Sequence, residues 1–281
     1  MTVDVEDYFQ VSAFENSISQ NDWPELPLRV GDNTHRLLDV FAKCDVTATF
    51  FCLGWVAERC PDIIRRMVNE GHEVASHGYD HTRLNFLNQK TFIQDVGKSK
   101  KILEDISGTS VKGYRAPSFS INEKTQWVYA ELAELGFLYS SSTYPIEHDL
   151  YGVPRWPRFK YTRPEGIIEI PIPTLNRSKG NKGIGGGGYF RLFPYWLSKR
   201  RIERFLLEES EPYNFYFHPW EIDAGQPRMN NISMKSRFRH YVNLRHMEGK
   251  LRSLLTDFQW GTMADVYNLK EQNKCQNEFS S

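Results

Sequence analysis

Four polar clusters in this 281-residue chain bring together side chains able to do chemistry. The first is Asp4-Val5-Glu6-Asp7. Side chains alternate along a strand, so Asp4 and Glu6 face the same way. Carboxylates placed together repel unless a cation or a shared proton relieves them. The competing reading is a solvated acidic turn. The second cluster is Ser76-His77-Gly78-Tyr79-Asp80-His81. Imidazoles at i and i+4 share one face of a helical turn, so both could reach one metal ion. A carboxylate from elsewhere would complete a two-histidine, one-carboxylate site with positions open to water and substrate. The competing reading is a pair of surface histidines beside a turn.

The third cluster is Gly113-Tyr114-Arg115-Ala116-Pro117-Ser118-Phe119. An arginine at a strand end, ahead of a rigid proline turn, suits a fixed guanidinium that orients a carboxylate bidentately. Arginines in surface turns look the same. The fourth is Phe215-Tyr216-Phe217-His218-Pro219-Trp220-Glu221, where one histidine follows a strongly apolar run. A lone histidine there is more often a hydrogen-bonded packing residue than a catalyst.

These clusters need a frame that brings them together. Strands are expected at 2–6, 46–53, 72–76, 111–115, 137–140, 167–172 and 213–218, and helices at 34–43, 56–70, 91–106 and 123–135. The run 46–53 is nearly continuous in apolar residues, as a strand buried on both faces would be. Gly71 and Gly136 stand where helices should close. Strands alternating with helices imply a mostly parallel sheet with crossovers. Seven or so such strands suggest a barrel, whose chemistry gathers at the C-terminal strand ends. All four clusters fall at such ends. Two segments interrupt the pattern, a Pro-, Tyr- and Arg-rich loop at 142–164 and the run Gly185-Gly186-Gly187-Gly188. The glycines lack the Lys-Ser/Thr of a phosphate loop. They imply a mobile loop or one that other groups approach closely. From Met229 the chain is polar and basic, then gains Phe258 to Trp260. A helix, a last short strand and a frayed tail from Gln272 are expected there.

Composition narrows the class. With 40% hydrophobic and 25% charged residues, the chain is neither disordered, collagen-like nor membrane-embedded. Thirty-five basic residues against 35 acidic leave no net field to collect nucleic acid. Acid follows Met1-Thr2-Val3 at once, with no basic-then-apolar leader, so a cytoplasmic location is expected. Cys44, Cys52, Cys60 and Cys275 form no Cys-x-x-Cys pair and are expected to be reduced thiols. His35, His72, His148, His240 and His246 have no evident partner set and are expected to be structural.

Taken in order, the motifs resemble the polysaccharide deacetylase family, the NodB-homology domain of carbohydrate esterase family 4. Val46-Thr47-Ala48-Thr49-Phe50-Phe51-Cys52-Leu53-Gly54, followed by Gly71-His72-Glu73-Val74-Ala75-Ser76-His77, is similar to that family's most recognisable block. The branch it resembles most is associated with bacterial exopolysaccharide, opens on D-V-E-D and carries a C-terminal extension. The resemblance implies an α/β fold, a distorted (β/α)7 barrel over residues 1–221, with residues 222–281 as an extension packed on it. It implies a divalent metal held by His77, His81 and a carboxylate of the first motif, with Glu6 favoured because it shares a strand face with Asp4 and Asp7 as the alternative. Zn2+ is the default; Co2+, Ni2+, Mn2+ and Fe2+ suit the same ligands. Asp4 would be the general base, Arg115 its orienting partner and His218 the general acid, in hydrolysis of N-acetyl groups on amino sugars. Pro117, Ser118 and Phe119 would face the oxyanion, and Tyr144 and Trp220 would meet sugar rings. The partners implied are an N-acetylated glycan and polysaccharide-synthesis machinery; the oligomeric state is open.

The chain departs from the family pattern twice. The first motif lacks adjacent aspartates followed by glycine, with Tyr8 at the glycine's place. Ser140-Ser141-Ser142-Thr143-Tyr144 stands where the family supplies an aspartate near the acid histidine. Competing readings are a cyclic-amide or N-formyl-sugar hydrolase of the same fold, and a non-catalytic glycan-binding or scaffold barrel. An iron oxygenase with these ligands would need a jelly-roll strand pattern, which is not the alternation seen here.

Overall fold

Thr2, Val3 and Val5, like Thr49, Phe50 and Phe51, are the β-branched and aromatic residues that fit a pleated surface. Both runs are strands, β1 (Thr2–Val5) and β2 (Thr49–Cys52), in the computed structural model, which describes residues 1–148, 151–178, 180–229 and 232–269. The others are β3 (Glu73–Ser76), β4 (Gly113–Tyr114), β5 (Tyr139–Ser140), β6 (Tyr161–Thr162), β7 (Ile168–Glu169), β8 (Thr174–Leu175), β9 (Lys182–Gly183) and β10 (Tyr216–Phe217). One sheet runs in the order β10-β1-β2-β3-β4-β5-β7-β6. Its neighbours are parallel except β6, which is antiparallel to β7. β8 and β9 form a separate antiparallel hairpin.

The sheet curls. Arg115, just past β4, donates to Thr2 Oγ1 and Asp4 Oδ1 on β1 at 2.9 and 2.6 Å, although β2 and β3 lie between those strands. Side chains stand roughly perpendicular to a sheet, so this contact requires the inner face to wrap around on itself. The result is a mixed sheet in half-barrel form. It differs from a closed seven-stranded barrel because pairing ends at β10 on one edge and at the antiparallel β6 on the other. Between β10 and the chain beyond β7 packs a buried cluster of Phe119, Tyr144, Ile146, Ile172 and Tyr216.

The helices are α1 (Val30–Lys43), α2 (Gly54–Arg59), α3 (Pro61–Asn69), α4 (Gln89–Ser107), α5 (Val128–Glu134), α6 (Gly187–Leu192), α7 (Tyr195–Glu208), α8 (Met234–Tyr241), α9 (Leu244–Asp257) and α10 (Met263–Val266). α1 buries Leu37, Leu38, Val40 and Phe41; each such side chain contributes about 1.5–3 kcal/mol. The single helix expected over 56–70 is two, α2 and α3, because Pro61 has no amide to continue the ladder. α4 opens on a capping box of Asn88 and Thr91.

Phe258 to Trp260, expected as a strand, is irregular. The chain beyond it closes the lower end of the sheet. Met263 N–H donates to Thr49 Oγ1 at 2.7 Å and Ala264 N–H to Glu73 Oε2 at 3.1 Å. Met263, Tyr267 and Leu269 pack inside with Phe51, Ala75 and Tyr139. The tail from Gln272, including Cys275, lies outside the described residues. Cys44, Cys52 and Cys60 are free. No helix among the described residues is long and apolar enough to cross a membrane.

Candidate active site

β1 ends at Val5, β3 at Ser76, β4 at Tyr114 and β10 at Phe217. Asp4, Glu6, His77, Arg115 and His218 sit at or just past those ends, so parallel strands deliver them to one mouth. Val3 and Val5 point into the helix-covered core, which leaves Asp4 on the inner face.

Glu6, His77 and His81 each offer a ligand atom, all within 4.8 Å of one another. Glu6 Oε2 has His81 Nε2 as its neighbour at 2.8 Å and no other partner among the described residues. His77 Nδ1–H donates to the Arg115 carbonyl at 2.7 Å. That bond fixes the tautomer and leaves the Nε2 lone pair free. Burial holds His77 neutral, with its pKa down at about 4. Burial also opposes the charge on Glu6, but His81 and His218 outweigh it and bring the pKa to about 2. A buried ionised carboxylate beside two imidazoles is a donor set that fits a divalent cation.

The two imidazoles meet by a different route from the helical turn their spacing suggests. Residues 77–83 form a loop in which Gly78 and His81 take left-handed backbone, φ 79° and 59°. The ring centroids lie 5.2 Å apart. A Cβ at position 78 would come within 2.9 Å of Asp95 Oδ1, which accepts the Tyr79 amide at 3.1 Å. The Gly54 and Trp55 amides at the start of α2 donate to the Gly78 and Tyr79 carbonyls, each at 2.9 Å. Otherwise unpaired donors of a helix N-terminus thus hold the loop.

Asp7 stands apart. Its Oδ2 accepts the Arg29 and Val30 amides at 2.7 and 2.8 Å and its Oδ1 the Tyr8 amide at 2.8 Å, so it caps α1. Burial pushes its pKa up to about 6.

Arg115 is fully buried and reaches Asp4 through one nitrogen, not two. Nε donates to the Ser141 carbonyl and Nη2 to Ser141 Oγ, each at 3.0 Å. Ser142 Oγ accepts the Ala116 amide at 2.9 Å, and Glu169 Oε1 accepts the Ser142 and Thr143 amides, each at 2.9 Å. The serine run after β5 therefore anchors the arginine.

His218 Nε2 lies 3.5 Å from Glu6 Oε1 and 4.0 Å from Asp4 Oδ2, while Nδ1–H donates to Glu221 Oε1 at 2.8 Å. Burial opposes the ring's charge, but Glu6, Glu221 and Asp4 outweigh it and push the pKa up to about 9. Trp220 stacks on His218 at 5.3 Å, and its indole N–H donates to Glu6 Oε1 at 3.3 Å. Glu221 was not singled out from the sequence, yet the spacing His218-Pro219-Trp220-Glu221 brings a carboxylate back to the ring across one short turn.

Of the residues expected to meet substrate, Phe119, Tyr144 and Trp220 are buried. Tyr144 belongs to the aromatic cluster beside β10, and Trp220 is stacked between His218 and His240. They support the site and present no open face for a sugar. Pro117 is buried too; Ser118 is partly exposed. Ser118 and Phe119 are left-handed, φ 53° and 49°. That strain costs on the order of 1–3 kcal/mol per residue and often marks functional turns.

Residues 20–137 match the family model described as polysaccharide deacetylase, and residues 141–268 match a domain of unknown function (DUF3473). A peptidoglycan-N-acetylglucosamine deacetylase of Bacillus cereus is 34% identical over 109 residues, covering 39% of this chain and 38% of that protein. A chitin deacetylase of Colletotrichum lindemuthianum is 38% identical over 109 residues, covering 37% of this chain and 43% of that one. The chain thus spans about two-fifths of the length of these curated relatives. A Mycobacterium smegmatis protein assigned as a polysaccharide deacetylase has the same fold, with TM-score 0.62, 19% identity and coverage of 97% of this chain and 90% of that one. Puue allantoinase has TM-score 0.55 at 21% identity, over 84% and 71% of the two chains. At such identities the likeness is one of fold alone. Asp4 and Glu6 precede both family matches; His77, His81 and Arg115 fall in the first and His218 in the second.

Proposed function

We propose, from the match of residues 20–137 to the polysaccharide deacetylase model together with the site geometry, that this chain is a divalent-metal-dependent hydrolase removing N-acetyl groups from the amino sugars of a polysaccharide. The observation that carries the proposal is the buried convergence of Glu6, His77 and His81, with Asp4 and His218 beside it. Glu6 is assigned as the carboxylate ligand, because backbone amides occupy Asp7. Zn2+ is the ion expected, and when bound it would polarise the amide carbonyl and lower the pKa of water to roughly 7.

Asp4 takes the proton of the attacking water, and Arg115 holds the Asp4 carboxylate in place for it. The developing oxyanion faces the backbone between Pro117 and Phe119. His218 gives its Nε2 proton to the departing nitrogen, which would otherwise leave as a strongly basic anion. The products are acetate and a free amino sugar. Residues 1–221 are assigned the chemistry and residues 222–281 form the extension, of which Met263 to Leu269 close the lower end of the sheet. Relatives named for peptidoglycan and chitin support a glycan substrate; the D-V-E-D opening favours a bacterial exopolysaccharide.

Acetate release from N-acetylglucosamine oligomers tests this. The protein is compared as isolated, after chelation, and after Zn2+ or Co2+ is restored. Loss with chelator and recovery with metal are expected. Metal binding without release would move the substrate to another amide. Neither binding nor release would leave a glycan-binding or scaffold barrel.

A further inference from the structure

Glu221 and Arg191 form an ion pair that solvent does not reach, with side chains 1% and 2% exposed and Nε 2.6 Å from Oε2. Burying such a pair costs about as much in lost hydration as its attraction returns. Stability alone is therefore a poor reason for it. The remaining contacts are specific. Arg191 Nη1 donates to the His240 and Val242 carbonyls, each at 2.8 Å, and Nη2 to the Arg239 carbonyl at 3.0 Å. These carbonyls belong to the C-terminal end of α8, where a cation is favoured. The guanidinium is pinned on that side and points Nε at Glu221. Glu221 Oε1 in turn accepts both the backbone N–H of His218, at 3.1 Å, and its Nδ1–H, at 2.8 Å. A carboxylate held at both oxygens sets the ring's orientation and keeps Nε2 turned toward Asp4 and Glu6.

The glycine run explains how the carboxylate fits. A Cβ on Gly187 would lie 2.1 and 2.2 Å from the two Glu221 oxygens. Of the two sequence-level readings of that run, mobility or close approach, position 187 favours close approach.

We infer that the Arg191–Glu221 pair, given room by Gly187, is the positioning device for His218, and that the segment matching a domain of unknown function supplies the proton-donating half of the site. This rests on the reading of His218 as donor to the leaving nitrogen. Glu221 is a positioning residue that acts through the histidine.

The test is steady-state deacetylation of N-acetylglucosamine oligomers by the full chain with zinc. The proteins compared are wild type, Glu221→Gln, His218→Ala, their double variant and Gly187→Ala. Glu221→Gln is expected to lower kcat about 100-fold with KM within about 2-fold, the scale of a general acid's contribution. In the double variant it should add less than about 2-fold to the loss from His218→Ala, because groups acting as a unit are not additive. Gly187→Ala keeps every charged group and displaces only the carboxylate; it should lower kcat about 10-fold. If circular dichroism shows Glu221→Gln unfolded, Gly187→Ala alone and combined with His218→Ala decides in its place. Additive losses, or a raised KM with unchanged kcat, overturn the inference while leaving the deacetylase reading intact. A zinc-bound but inactive wild type overturns both.

Discussion

His77 and His218 are buried imidazoles on either side of one carboxylate, Glu6, yet they are driven in opposite directions. His77 is held down at about 4 and His218 pushed up to about 9. Asp4 and Glu6 favour the charge on both rings and His81 opposes it on His77, so much of the difference lies in what each Nδ1–H meets. For His77 it is the Arg115 carbonyl, a neutral dipole, so burial decides and the ring stays uncharged. For His218 it is the Glu221 carboxylate, with Glu6 and Asp4 beyond Nε2. Those three charges outweigh burial. A neutral ring with a free lone pair is a metal ligand; a charged ring is a proton donor. One residue type thus serves two roles in one mouth because a backbone acceptor and an ionised acceptor were placed behind the two rings.

The largest effect expected from this contrast falls on the ligand side. His77→Ala should remove both bound zinc and activity, with kcat/KM down at least about 10⁴-fold, because Lewis acidity and water activation go together. Zinc content after dialysis, measured with acetate release, checks it. Full zinc retention in an inactive variant would show that His77 acts on the reaction without holding the ion, and would break the contrast at its first term.

Arg115 links the two sides, since its carbonyl sets the His77 tautomer and its guanidinium holds Asp4. Arg115→Lys keeps the carbonyl and the charge but cannot reach Ser141 and Asp4 together. It is expected to lower kcat about 100-fold and leave zinc binding unchanged. A variant that loses zinc instead would mean that the backbone at 115 moves with its side chain, which would sharpen the contrast by making one residue answer for both sides.

Much of this was legible in the sequence because strand ends are. A residue two beyond another on a strand shares its face, and parallel strands end at one mouth; those rules place Asp4, Glu6, His77, Arg115 and His218 together. They favour Glu6 over Asp7 through the face it shares with Asp4, but do not show why Asp7 is withheld, since that depends on the start of α1 capturing it from 22 residues away. They also mistake the link between His77 and His81, because positive φ at Gly78 and His81 replaces a helical turn. Arg191 was beyond reach, for its partner Glu221 is 30 residues on and the contact is made through tertiary packing. Tyr144 and Trp220 show the limit of composition. Aromatic residues near a predicted mouth can stack on sugar or on each other, and here they stack on protein.

His72 supplies the control for the contrast, with the smallest expected effect. It is buried against Phe41 and Phe50, and Nδ1 accepts the Ala48 amide at 3.2 Å. Its nearest carboxylate oxygen, on Glu70, is 4.0 Å away. Burial lowers its pKa from 6.5 to about 4. The unfolded chain therefore takes the proton first as pH falls. The stability contributed by neutral His72 is fully present above about pH 6.5 and is lost as pH falls toward 4. Between pH 7 and pH 5 the loss is about 2 kcal/mol. His72→Gln keeps an acceptor for the amide and cannot titrate. Urea unfolding of both proteins at the two pH values should show the wild type losing about 2 kcal/mol more than the variant. His240, also held low at about 3, is common to both and cancels. An equal loss in the two proteins would mean that a buried imidazole without a carboxylate accepts a proton here at no cost. Burial would then no longer account for a neutral His77, since its bond to the Arg115 carbonyl favours the charged ring, and the neighbouring His81 would have to carry that role.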